Sequence, residues 1–306
     1  SSATLTGLTC QNGIVRLGPG RGAQLILTGL FSDGGTAQLP AAGITYLSLD
    51  ESVVRVAGPG LLFAQGTGTA AVTAKSGKLS AAALVVCGTV AEPDLYEIYP
   101  HAYTLTTDDT RQFMVTVREN GSPVDKTNHA AGALYVIGDS DIASITEDGL
   151  LTAKAIGTTT VTIIWGPLRQ VSPITVTAPV VGSQVIGEQG GIVQNADGVQ
   201  LQVAPGGLDG QTVQVNTLTQ AQLPFALPDG FNFVGGVNID LGGATSKNAL
   251  ALTMPVTGMN AGDKAYVFRI SRLLTSPGVY EDVWELVDYA TVGADGKART
   301  QSPPYS

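Results

Sequence analysis

The sequence predicts an all-β chain: two consecutive β-sandwiches followed by a larger C-terminal β-sandwich or barrel. Three observations carry that expectation. Tyr46 to Thr73 returns without a gap as Tyr135 to Thr162, a spacing of 89 residues, so one structural unit is duplicated. The 39 glycines and 16 prolines follow no collagen-like period and imply many turns and little helix. The apolar residues run in short alternating or continuous stretches with the period of strands, not of helices.

From Leu5 to Val86 short runs rich in β-branched residues are bounded by Gly, Asp and Pro: Ile14-Val15-Arg16-Leu17, Leu25-Ile26-Leu27-Thr28, Val53-Val54-Arg55-Val56, Gly68 to Ala74 and Leu79 to Val86. About seven such strands in under about ninety residues is the strand count of an immunoglobulin-like sandwich. The second unit repeats the pattern with Ile98, Gln112 to Val117 and Ile174-Thr175-Val176. Its Asn120-Gly121 is a strong hairpin signal, because both residues tolerate positive φ. At the 89-residue offset Tyr46, Asp50, Gly60, Leu61, Leu62, Ala64, Gly68, Thr69, Val72 and Thr73 meet identical residues, and Val53 and Val56 meet Ile142 and Ile145. Domain limits follow at 1–90, 91–180 and 181–306. Only Gly88 to Pro93 lies between the first two, too short for a free linker, so they are expected end to end with limited swing.

These residues carry a resemblance. Phe31-Ser32-Asp33-Gly34, Ile44-Thr45-Tyr46, Asp50 to Val56, Gly60-Leu61-Leu62 and Gly66 to Val72 resemble the bacterial immunoglobulin-like domain, group 2, in two tandem copies. The chain departs from that pattern at Tyr46 and Tyr135, where Trp is common, and at Asn120-Gly121-Ser122, where the family's Asp-Gly turn is lost. Further on, Gly190-Gly191-Ile192-Val193, Gly198 to Leu208 and Thr212 to Val215 resemble the opening of the β domain shared by zonula occludens protein, netrin receptors and ankyrins. The first resemblance implies display or adhesion at a bacterial cell surface and not catalysis. Beyond the second motif, strands are expected at Val234 to Leu241, Ala249 to Met254, Ala265 to Leu274 and Val283 to Val292.

A net charge of −9 without a basic run disfavours nucleic acid and anionic membranes as partners. No apolar run reaches the roughly 18 residues of a membrane span. Two histidines, His101 and His129, without a close-spaced ligand pair give no zinc pattern. Nucleophile-elbow and phosphate-loop motifs are absent too, so no enzyme is expected.

Three sets of candidate residues remain. Cys10 and Cys87 fall on the first and last strands of the first copy, a placement that suits either a disulfide or two buried free thiols. Tyr99 and Val176 stand at the equivalent places of the second copy, so any bridge is a local staple. Asp139, Asp141 and Asp148 are candidate calcium ligands, set against the simpler reading that Asp50 and Asp139 cap turns entering a strand. Phe231, Phe233 and Trp284, among aromatics that gather only in the C-terminal domain, are candidates to stack on a sugar ring. The resulting expectation is a secreted, extracellular or cell-surface stalk or adhesion segment without a required cofactor. Its partners would be a protein or glycan on a cell or matrix surface, or further copies of itself. The alternatives are a filament subunit joined by strand exchange through Ser1 to Leu8, and a carbohydrate-binding C-terminal module.

Overall fold

The computed structural model describes residues 3–300, and the protein is all-β. Among these residues the regular elements are strands apart from two single 3-10 turns, His129–Ala131 and Gln220–Gln222. They form two compact units, Ser1–Ala102 with Thr107–Val176 and Tyr103–Thr106 with Thr177–Ser306.

In the first copy three sheets enclose one core. Their orders are Leu5–Cys10, Leu27–Phe31, Thr36–Gln38; Ile14–Leu17, Leu79–Cys87, Gly68–Ser76, Thr45–Ser48; and Gly22–Gln24, Leu61–Ala64, Val54–Gly58. The second copy repeats the plan. Tyr96–Tyr99, Met114–Glu119 and Ser122–Asp125 form one sheet, Thr110–Gln112, Leu150–Ala153 and Ala143–Ile145 another, and Gly157–Trp165 lies between Leu134–Ile137 and Leu168–Val176. Asn120 (φ 50°) and Gly121 (φ 82°) make the tight turn between Met114–Glu119 and Ser122–Asp125, as their sequence requires.

The residues that recur between copies are packed pairs. An added Cβ on Gly60 (φ +69°) would stand 3.2 Å from Tyr46 Cζ, and one on Gly149 (φ +80°) 2.6 Å from Tyr135 Cζ. Gly68 and Gly157 lie in the same way under Val53 and Ile142. Glycine suits these four places because φ is positive at each, and because a methyl group would collide with Tyr135 at Gly149 and Ile142 at Gly157, and with Gln24 and the Leu25 carbonyl as well as pressing on Tyr46 at Gly60. Leu62, Leu151, Val72 and Val161 are fully buried, which accounts for their identity in both copies.

The two copies do not stand end to end. Leu79–Cys87 is buried along nearly its whole length because each of its faces meets a different sandwich. Leu79, Ala81, Ala83, Val85 and Cys87 point into the first core. Ala82, Leu84 and Val86, with Ala71, pack on Leu134, Val136 and Ile164 of the second copy. The corresponding strand Leu168–Val176 alternates buried with half-buried or exposed residues, as an outer face not covered in this way should. The joint is therefore sheet on sheet, and the apolar run Ala81 to Val86 is covered on both sides.

In the second unit a seven-stranded open sheet runs from Val180–Val181 through Gly191–Gln194, Gln200–Val203, Leu250–Pro255, Lys297–Thr300 and Val279–Val292 to Lys264–Ser276. A three-stranded sheet, Gln184–Ile186, Gln211–Leu218 and Gly236–Asp240, packs on it over Ile186, Val193, Leu201, Val203, Val213 and Val215. Of the two expected forms this is the sandwich. Gln202 and Thr253 are buried on the sheet's other face, where Gln202 Nε2 donates to Thr253 Oγ1 at 3.1 Å. Thr104, from the short segment Tyr103–Thr106, donates to the Val203 carbonyl at 3.0 Å.

The disulfide is corrected. Cys10 and Cys87 are free and buried in one core. Cys10 lies within electrostatic reach of Tyr46 and Arg169. Both belong to the Ala81-Ala82 end of Leu79–Cys87, since Arg169 Nε donates to the Ala82 carbonyl at 3.1 Å and Tyr46 pairs with Ala74, which pairs with Ala81. Cys87 closes the same strand at its other end. Its thiol donates to the Val53 carbonyl at 3.7 Å. Burial pushes the Cys10 thiol up to about 11, with the Arg169 charge opposing. Both thiols should therefore ignore Ellman's reagent in the native protein and react fully in denaturant; a native mass that rises on reduction would show a disulfide after all.

Candidate functional site

The acidic candidates do not converge. Asp139 takes part in the turn before Ala143–Ile145: its Oδ1 accepts from the Asp141 amide at 2.9 Å and its carbonyl from the Ala143 amide at 3.3 Å. Asp50 does the same in the first copy, accepting from the Ser52 amide at 3.0 Å. Their recurrence is turn chemistry. The second carboxylate oxygens of Asp139 and Asp141 both face Lys78 Nζ, at 3.1 Å each. Asp148 is elsewhere, accepting from the His129 amide at 3.0 Å. The calcium expectation is thus corrected in its ligand set: two of the three carboxylates share a lysine, and the third caps a different loop.

What these residues build is a joint between the two copies. Lys78 is the tip of the hairpin formed by Gly68–Ser76 and Leu79–Cys87 in the first copy. Around it the Ser80 amide donates to the Gly138 carbonyl at 2.8 Å, the Ser140 amide donates to the Lys78 carbonyl at 3.1 Å, and Leu79 bridges Asp139. Further along, Arg169 crosses from the second copy to Ala82 and occupies the space above Gly13 that a methyl group would fill. Sequence inspection misses Lys78 and Arg169, because a single cation in a turn or strand carries no motif.

Asp139, then Asp141, hold the Lys78 ammonium above its ordinary value of 10.5. A raised lysine contributes stability that is complete below the ordinary value and is lost as pH climbs through the folded one. Urea midpoints of the native chain and Lys78→Met should thus differ by a constant amount from neutral pH to about 10 and converge above it. A difference that persists at higher pH would show that the methylene stem, not the charge, is what matters.

The aromatic candidates lie in one cluster built by the loop between Gln211–Leu218 and Gly236–Asp240. Trp284 packs on Phe225 with ring centroids 5.0 Å apart, and its Nε1 donates to the Ala226 carbonyl at 2.8 Å. Phe231 stands edge-on to Tyr266 at 5.6 Å and to Phe268 at 5.0 Å. Phe233 is close enough to Gly236 that an added Cβ there would sit 3.2 Å from its ring. Trp284 belongs to the long hairpin of Lys264–Ser276 and Val279–Val292, Phe225 and Phe231 of the loop pack on that hairpin, and Phe233 lies against Gly236. Phe231 is the one of the three that keeps a large exposed fraction, 41%.

The first strand is in use as well. Leu5–Cys10 pairs antiparallel with Leu27–Phe31, from Leu5 opposite Phe31 to Cys10 opposite Leu27, so donating it to another chain would first break that ladder. Ser1 and Ser2 lie outside the described residues.

No family model matches the chain. Ice-binding protein 1 of Shewanella frigidimarina (strain NCIMB 400) is 30% identical over 176 residues, which is 57% of this chain and 19% of that protein. The chain thus spans about a fifth of the length of this relative. Among solved structures, domains 4 and 5 of the S-layer protein SbsC align with 58% of this chain and 100% of their own at 20% identity and a TM-score of 0.24. Human protocadherin-24 EC1-2 aligns with 56% of this chain and 100% of its own at 11% identity and a TM-score of 0.20. Scores this low do not establish a shared arrangement of whole chains. The all-β class rests on the strands themselves.

Proposed function

We propose that this chain is a non-enzymatic structural segment of an extracellular or cell-surface protein, a stalk that carries and spaces adhesive domains. Its first two sandwiches are of the bacterial immunoglobulin-like type, group 2, and its C-terminal unit is of the type shared by zonula occludens protein and netrin receptors. The observation that carries this reading is where the repeated residues lie. Tyr46 and Gly60, Tyr135 and Gly149, Val53 and Gly68, Ile142 and Gly157 are packing pairs, and Asp50 and Asp139 are turn caps. Duplication has preserved a scaffold, and the surface between the copies serves to hold them together. The 30% identity to part of an ice-binding protein agrees with a segment that accompanies a binding function elsewhere in a longer chain.

Two measurements test it. Antibodies to this segment should label intact cells of the native organism without permeabilisation; labelling only after lysis would end the extracellular reading. The isolated chain should leave ice growth unshaped and show no thermal hysteresis, as a scaffold would. Hysteresis from this chain alone would make it the binding element instead.

A further inference from the structure

We propose that the strand Lys264–Ser276 pairs antiparallel with the same strand of a second copy of this chain, about a two-fold axis at Ile270. The inference goes beyond the scaffold reading and rests on the C-terminal hairpin. That hairpin outruns its sheet: Val279–Val292 meets Lys297–Thr300 only at Ala290, Thr291 and Val292, so from Val279 to Tyr289 it is a two-stranded ribbon. Such ribbons are marginal on their own and gain from further strands. Opposite residues share a face, and one face carries Phe268 with Leu286, Ile270 with Trp284, Arg272 with Asp282, and Leu274 with Tyr280. Phe231 and Phe225 cover part of it, yet Tyr266, Leu274 and Tyr280 remain 57%, 57% and 58% exposed. A long edge strand with no further strand beside it is a template for pairing.

Charge and bulk select the occupant. The Val279–Val292 edge carries Glu281, Asp282, Glu285 and Asp288, so two copies meeting there would repel. Lys264–Ser276 has three cations, Lys264, Arg269 and Arg272, and no acid. A basic edge laid on the acidic edge of a translated copy would satisfy charge. However, it would set the two units about 10 Å apart, one ribbon width, which is less than the roughly 30 Å diameter of a domain of this size. Antiparallel pairing of like strands sends the two bodies to opposite ends of the ribbon.

Register follows. The irregularities in the hairpin leave this edge regular as far as Leu274, the extra residues being Val287 on the inner strand and Thr275 near the tip. An axis at Arg269 or Arg272 would oppose guanidinium to guanidinium. An axis at Ile270 pairs Tyr266 with Leu274, Val267 with Leu273, Phe268 with Arg272 and Arg269 with Ser271. No like charges meet there, and a cation lies beside an aromatic ring.

Sedimentation equilibrium of the whole chain between about 1 and 100 μM should show a monomer–dimer equilibrium. Ile270→Arg, which opposes two guanidiniums at the axis, should raise the dissociation constant at least about tenfold, with the melting temperature unchanged at concentrations where both proteins are monomeric. Under oxidation Ile270→Cys should form a covalent dimer. Leu274→Cys alone should not, but should cross-link when mixed with Tyr266→Cys. A chain that stays monomeric throughout, a dimer indifferent to Ile270→Arg, or equal cross-linking of the single variants at 270 and 274 would each overturn the proposal.

Discussion

Leu84→Arg should pull the two N-terminal sandwiches apart. Leu84 is fully buried, yet it points away from its own core, into the layer formed with Ala71, Ala82, Val86 and Ile164. The carboxylate among the residues that line the cavity beside Leu84 is Asp50, which already accepts from the Ser52 amide and hydroxyl, and Ala82 two residues away already receives Arg169. Burying an unpaired charge in place of a leucine should cost at least about 3 kcal/mol. Because the loss falls on the joint and not on either core, the connection from Gly88 to Pro93 should become a site of limited proteolysis while each sandwich keeps its strands. Leu84→Ala removes packing without adding charge and should lose about 2 to 3 kcal/mol with the connection still protected. If Leu84→Arg costs less than about 1 kcal/mol and the connection stays resistant, the sheet-on-sheet joint does not exist in solution.

The second large effect is expected at Gly149. Its φ of +80° disfavours any side chain, and a methyl group would arrive 2.6 Å from Tyr135 Cζ. Tyr135 has little room to retreat, since its hydroxyl donates to the Thr127 carbonyl at 2.7 Å and its ring packs on Phe113 at 6.2 Å. Backbone strain of about 1 kcal/mol and overpacking of about 1 to 3 kcal/mol add, so Gly149→Ala should lose about 2 to 4 kcal/mol in urea denaturation. Gly77→Ala isolates the backbone part, because Gly77 is also left-handed (φ +59°) but has open space around it; about 1 kcal/mol is expected there. Equal losses at the two glycines would remove the tyrosine contact from the account.

Much of the fold was open to inspection before any coordinates, for a physical reason. Strand period, turn chemistry and the 89-residue repeat are properties of neighbouring residues, so the hairpin at Asn120-Gly121 and the Asx turns at Asp50 and Asp139 could be placed from local rules. In the C-terminal unit four expected strands appear close to their limits, as Gly236–Asp240, Leu250–Pro255, Lys264–Ser276 and Val279–Val292. The candidate sites fared differently. Asp139, Asp141 and Asp148 are near in sequence, but a strand and its turns separate the third from the first two. Cys10 and Cys87 lie on first and last strands, which shows that both enter the core but not at what level of it.

The all-β class and the duplication are written in local residue patterns: glycines, tyrosines and aspartates at fixed offsets answer to short-range demands that each copy must meet alone. What each outer face meets depends on contacts between distant segments. The sequence shows Leu79 to Val86 only as one more strand, and not that both its faces would be covered, the second by Leu134, Val136 and Ile164. Nor did it tell that Lys78 would be clasped by two aspartates, or that the apolar face of the Lys264–Ser276 hairpin would be left partly uncovered. Those outcomes depend on shape and charge meeting across tens of residues of chain, and no local period records them.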